Sequence, residues 1–88
     1  IKNRKENTRM DKYELHETDR KIALHENLVK EQEEIISKYE ERLKVASKDE
    51  HFGIKSAISN HKAMLQSFKF DLEMWRDAKK DGIFPGWD

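Results

Sequence analysis

The sequence predicts an all-α fold: a long antiparallel two-helix hairpin, coiled-coil-like, that self-associates into a helical bundle. Apolar residues recur at spacings of three and four along two long stretches, which is the pattern of a helix with one buried stripe. A short polar segment separates the two stretches. Neither Gly nor Pro interrupts the first one, and good helix formers fill its other positions.

The first helix is predicted over residues 9–46. Thr8 and Asp11 stand in the relation of a capping box, which marks a helix start. The stripe that follows contains Leu15, Thr18, Ile22, His25, Val29, Gln32, Ile36, Tyr39, Leu43 and Ala46.

The turn is predicted at residues 47–49 and the second helix at about residues 50–81. Ser47 and Glu50 form another capping-box pair, and so short a turn makes the helices antiparallel. Gly82 suits the left-handed position that ends a helix. The chain thus divides into a basic arm (1–9), a helical hairpin (10–82) and a tail (83–88).

Facing stripes are expected to form the hairpin seam. Folding about the turn places residues whose numbers add up to about 97 side by side, so that Leu43 faces Ile54 and Ile36 faces His61. The polar seam residues are expected to specify register or oligomeric state. The seam comprises Leu15, Ile22, His25, Val29, Ile36, Tyr39, Leu43, Ile54, Ile58, His61, Leu65, Phe68, Leu72 and Trp75.

Further apolar residues predict a second contact surface. On the first helix they widen the apolar face to nearly half the circumference, more than one neighbouring helix can cover. On the second helix they fall on the side opposite the stripe. The predicted interface with another copy or a partner comprises Leu24, Leu28, Ile35, Phe52, Phe70 and Met74. We expect a dimer that forms a four-helix bundle, with a larger ring as the alternative.

The two chain ends have different compositions. Ile83, Phe84 and Trp87 make the tail apolar, and we expect it to pack as a strap over the open end of the first helix; a docking segment for a partner is the alternative. The first nine residues carry an excess of positive charge without interleaved aromatic residues. Their candidate phosphate contacts are Lys2, Arg4, Lys5 and Arg9.

No pattern indicates catalysis, a cofactor or a metal site. The chain has no cysteine, and none of its four histidines lies three or four residues from another, as ligands on one helix face would. Gly-rich phosphate loops and nucleophile elbows are absent. A thin hairpin also offers no pocket for paired carboxylates. We therefore expect neither an enzyme nor a cofactor.

The predicted function is protein–protein interaction, as a structural, assembly or small adaptor module acting as a homo-oligomer and binding another protein. The alternative is a nucleic-acid-associated accessory protein of the packaging or replication type, which uses the basic arm. A histidine-tuned pH or metal switch is a third possibility. The 18 basic and 18 acidic residues cancel, so the whole chain has no general attraction to nucleic acid or membranes. Without an apolar segment of spanning length, we expect a cytoplasmic protein with no membrane contact.

Overall fold

Two helices of equal length make up the computed structural model, which describes residues 10–85. Helix α1 spans Lys12–Val45 and helix α2 spans Lys48–Asp81, each with 34 residues. They pack against each other along their length, in a body that measures 63 × 19 × 14 Å. The predicted all-α helical hairpin is confirmed.

Helix α1 begins three residues later than predicted. Asp11 is its N-cap rather than the third helical residue, and it forms a capping box with Glu14. The Glu14 amide donates to Asp11 Oδ1 at 2.8 Å, and the Asp11 amide donates to Glu14 Oε1 at 3.3 Å. Glu completes this box better than Asp does, because its longer side chain reaches back to the N-cap amide. Thr8 lies outside the described residues.

The connection between the helices is Ala46-Ser47, shorter than the predicted 47–49 turn. Both residues have extended backbone, and α2 already begins at Lys48. Ser47 is the N-cap, as its spacing from Glu50 predicts. The Ser47 amide donates to Glu50 Oε1 at 3.3 Å. Two residues suffice because one capping interaction both ends the turn and starts the helix.

The core lies near the turn. Ile36, Ile54 and Ile58 are buried together, and Leu43 and Leu65 pack against them. Leu72 is buried farther along the seam. Three polar contacts between the helices indicate the register: His25 lies 4.0 Å from Asp71, Asp19 lies 2.8 Å from Lys79, and Glu26 lies 3.1 Å from Arg76. Their residue numbers add up to 96, 98 and 102, around the expected value of about 97.

The predicted seam is buried or half-buried except at Leu15, which is 41% exposed. Including Leu15 was wrong, because at about 100° per residue it lies about 60° around α1 from the buried Thr18, at the margin of the stripe. Thr18, three residues later, is fully buried instead. Its hydroxyl donates to the Glu14 carbonyl oxygen at 2.8 Å and lies 3.4 Å from Met10 Sδ. An internal hydrogen bond makes the burial of this polar group tolerable.

The described part of the tail turns back onto α2, and the predicted strap over the open end of α1 stays a prediction. Gly82 caps α2 with a left-handed φ of 74°, a conformation that a side chain would strain. The Met10 amide donates to the Gly82 carbonyl oxygen at 2.8 Å. Phe84 packs edge-to-face on Trp75, with ring centroids 5.8 Å apart. Tyr13 stays exposed, and Trp87 lies outside the described residues.

Candidate interaction surfaces

A polar layer crosses the middle of the seam. His61 Nδ1 donates to Gln32 Oε1 at 2.7 Å, and the His61 ring stacks on Tyr39 with centroids 5.7 Å apart. Gln32 is buried, so its amide oxygen needs this partner. His61 was expected at the level of Ile36, and its two partners lie one turn before and one turn after Ile36, in agreement with that level. The spacing pattern already placed Gln32 on the stripe, but its pairing with His61 could be seen only in the structure.

One edge of the seam is lined by charged rows, which we call the charged edge. Acidic residues of α1 recur every seven positions, and so do basic residues of α2. Glu26 pairs with Arg76 at 3.1 Å. Glu33, Lys62 and Lys69 line one groove, so both rows lie on this side. The rows comprise Asp19, Glu26, Glu33 and Glu40 on α1, and Lys55, Lys62, Lys69 and Arg76 on α2.

The opposite edge carries apolar side chains and is the apolar edge. At about 100° per residue, Glu33 lies about 60° to one side of the buried Ile36, and the α1 residues of this edge lie about 80–120° to the other side. On α2, Met64 flanks the seam on this same side. Leu24 and Met64 are 48% and 42% exposed, while Leu28 and Ile35 are half-buried. The apolar edge thus consists of Leu24, Leu28, Ile35 and Met64.

The remaining predicted interface residues lie on a different face. Phe52 and Phe70 each precede a buried seam residue, Ile54 or Leu72, by two positions, so they point away from α1. They are 82% and 72% exposed. Met74 also lies on this outer side and is 41% exposed. The six predicted residues therefore lie on two separate surfaces, the apolar edge and the outer face of α2.

The described residues contain no obvious chemical site. Within residues 10–85, His, Asp and Glu side chains do not gather into groups that could hold a metal ion. Neither α1 nor α2 has a stretch long and apolar enough to cross a membrane. The candidate phosphate contacts Lys2, Arg4, Lys5 and Arg9 lie outside the described part of the chain. The apolar edge and the outer face of α2 are the surfaces from which function can be argued.

Comparison of the chain with protein-family models, with curated proteins and with solved structures found no match.

Proposed function

We propose that this hairpin is a non-enzymatic protein–protein interaction module, of a structural, assembly or adaptor kind, that acts as a homo-oligomer. The observation that carries the proposal is the exposure of the apolar edge. Leu24 and Met64 keep nearly half of their surface in water in a single chain. Large apolar side chains gathered along one edge are typical of an interface.

The small core also favours association. Among the described residues, the buried apolar side chains are Ile36, Ile54, Ile58 and Leu72. Each ordered residue costs roughly 1–2 kcal/mol of backbone entropy, so a hairpin with so small a core is marginal. Burying one further Leu, Ile or Met side chain contributes about 1.5–3 kcal/mol. A second copy on the apolar edge supplies that burial.

The distribution of charge favours an assembly in which the apolar edges meet and the charged edges face water. Two hairpins related by a twofold axis can join their apolar edges and form a four-helix bundle. The charged edges then stay at the outside, where Glu26 and Arg76 remain solvated. A larger ring built through the same edge is the alternative.

Measurement of the solution mass tests the proposal. We expect the wild-type chain to be oligomeric by light scattering, with a melting temperature that rises with protein concentration. Leu24→Glu with Leu28→Glu should give a helical monomer. Ala23→Glu with Asn27→Glu is the matched control, because these exposed residues lie one position earlier and point away from the edge. This control should stay oligomeric.

A wild-type chain that is monomeric at every concentration would contradict self-association. Equal behaviour of the two double variants would contradict the assignment to the apolar edge. Suppose instead that the chain binds a generic DNA duplex, and that this binding is lost when residues 1–9 are deleted and when salt is added. That result would favour the nucleic-acid-associated alternative.

A further inference from the structure

An uncharged strip runs along the outer face of α2 between its two exposed phenylalanines. Phe52 and Phe70 are 18 positions apart, which is five helical turns or roughly 27 Å. The positions between them on this face follow spacings of four and three, as in a second coiled-coil stripe. We call the following residues the outer strip: Phe52, Ser56, Ser59, Ala63, Gln66 and Phe70.

A row of lysines flanks the outer strip on one side. Lys55, Lys62 and Lys69 each follow a seam position by one residue, so they lie between the seam and the strip. All three are exposed, and none forms an ion pair with another described residue. The acidic residues of α1 that reach across the charged edge pair farther along α2, with Arg76 and Lys79.

The same stretch of α2 has no negative charge. Between Glu50 and Asp71 the sequence contains no Asp or Glu, although the chain as a whole has 18 of them. A docked helix would therefore meet two exposed aromatic rings and one row of positive charge. Complementary charge at such flanking positions sets the choice of partner in paired helices.

A second copy of α2 does not suit this surface. Two outer strips packed antiparallel would bring both lysine rows to the same flank, with six like charges in proximity. In the parallel arrangement the lysines would face no acidic residue, since α2 has none between His51 and Phe70. Self-repulsion of this kind selects against pairing with an identical surface.

We propose that the outer strip docks an acidic amphipathic helix of a partner protein. The helix would span both phenylalanines with an apolar stripe and place Asp or Glu at seven-residue intervals beside Lys55, Lys62 and Lys69. This inference rests on the proposed function in one respect, that the hairpin acts by binding proteins. It uses a different surface from the apolar edge, so the partner can bind the assembled hairpin.

Titration of the full chain with designed helical peptides tests this inference. The probe is a fluorescein-labelled peptide about three heptads long, with Leu at the core positions and Glu at the flanking positions. A peptide with Lys at the same flanking positions is the matched control. We expect the anisotropy to report binding of the Glu peptide and weaker binding of the Lys peptide. The preference should shrink as salt is added.

Variants of α2 locate the binding site. Phe52→Ser with Phe70→Ser should weaken binding of the Glu peptide about tenfold, which corresponds to about 1.4 kcal/mol. Lys55→Glu, Lys62→Glu and Lys69→Glu together should reverse the preference between the two peptides. The replaced side chains are exposed, so circular dichroism should show unchanged helicity in each variant.

The inference would be overturned by absence of binding, by equal binding of both peptides, or by binding that survives the phenylalanine variant. Loss of binding only in Leu24→Glu with Leu28→Glu would assign the peptide to the apolar edge and also contradict it. The solution mass of the unliganded chain is independent of these results, so a failure here is distinguishable from a failure of self-association.

Discussion

The two edges of the hairpin seam are built from the same two helices but differ in chemistry. The charged edge carries acidic residues on α1 and basic residues on α2 in seven-residue rows, with Glu26 bound to Arg76 across it. The apolar edge carries Leu24, Leu28 and Ile35 on α1 and Met64 on α2.

The difference shows that, in a thin hairpin, the side chains that favour one alignment of the helices can lie on a different edge from those available to bind another surface. Charge pairs at the charged edge contribute little free energy in water, but they favour one alignment of α1 and α2. At the other edge, the single hairpin leaves Leu24 and Met64 nearly half exposed. These side chains gain further free energy when another surface covers them. The seam between the edges supplies the core that both require.

The largest expected loss of stability follows substitution in the seam, and the losses at the two edges can be compared with it. Ile58→Ala should lower the free energy of unfolding by about 2–5 kcal/mol, because a buried side chain leaves a cavity. Leu24→Ala, at the apolar edge, should cost much less in dilute solution and more as the protein concentration rises. Chemical denaturation at several protein concentrations measures both. A concentration-independent cost at Leu24 would mean that the edge stabilises only the single hairpin.

The next effect concerns the polar layer between the edges. His61→Leu should lower the free energy of unfolding by about 1–3 kcal/mol, because it leaves the buried Gln32 amide without its partner. Adding Gln32→Leu should recover that loss while weakening the preference for one register. Unfolding free energies of the two single variants and the double variant measure the coupling. Additive effects would show that the two side chains act independently.

Register in those variants can be followed by disulfide formation, since the chain has no cysteine of its own. Cysteines introduced at Leu43 and Ile54 should link efficiently in the wild-type background and less selectively in the double-Leu variant. Equal selectivity in both backgrounds would leave the charged edge as the determinant of register.

A smaller loss of stability is expected at the open end of the hairpin, where the tail contacts Trp75. Phe84→Ala removes the edge-to-face contact with Trp75 and should cost about 0.5–1.5 kcal/mol. Tyr13→Ala removes an exposed aromatic residue at the same end and serves as the control. Thermal unfolding with Trp fluorescence as the readout distinguishes them. If the two variants lose equal stability, the tail contact contributes nothing specific.

The smallest effect is expected at the charged edge. Glu26→Lys or Arg76→Glu alone should cost about 0.2–1 kcal/mol, since both groups are half in water. The two changes together restore the pair in reverse and should recover most of the loss. Denaturation at low and high salt measures the charge contribution, which salt should reduce. Loss that persists in the double variant would point to packing of the Arg76 stem rather than charge.

The helices and their order were predictable from local patterns. Apolar spacing placed the seam, and the position of the turn placed Leu43 and Ile54 within one core cluster. Element boundaries were less predictable. Two capping pairs overlap at the start of α1, and only the folded chain selects Asp11 with Glu14 over Thr8 with Asp11.

The candidate surfaces were only partly predictable. Periodicity identified Leu24, Leu28, Ile35, Phe52, Phe70 and Met74 as apolar residues outside the main stripe, and it placed the last three on the side of α2 opposite that stripe. Their separation into the apolar edge and the outer face depends on the direction of each residue relative to the other helix. The charged rows had a readable signal, like charges repeated every seven residues, which sequence reasoning did not use.

The sequence by itself determined the two helices, the antiparallel order and the main stripe, because helix formation depends on neighbours within one or two turns. Only the tertiary structure decided which polar residues share the interior. The burial of Thr18 is tolerated because its hydroxyl donates a hydrogen bond to a carbonyl oxygen of its own helix. The burial of Gln32 is tolerated because its amide oxygen accepts a hydrogen bond from His61 of the other helix. Leu15 fits the same spacing along the chain but remains 41% exposed. Burial depends on what lies opposite in space, and a residue's own spacing along the chain does not contain that information.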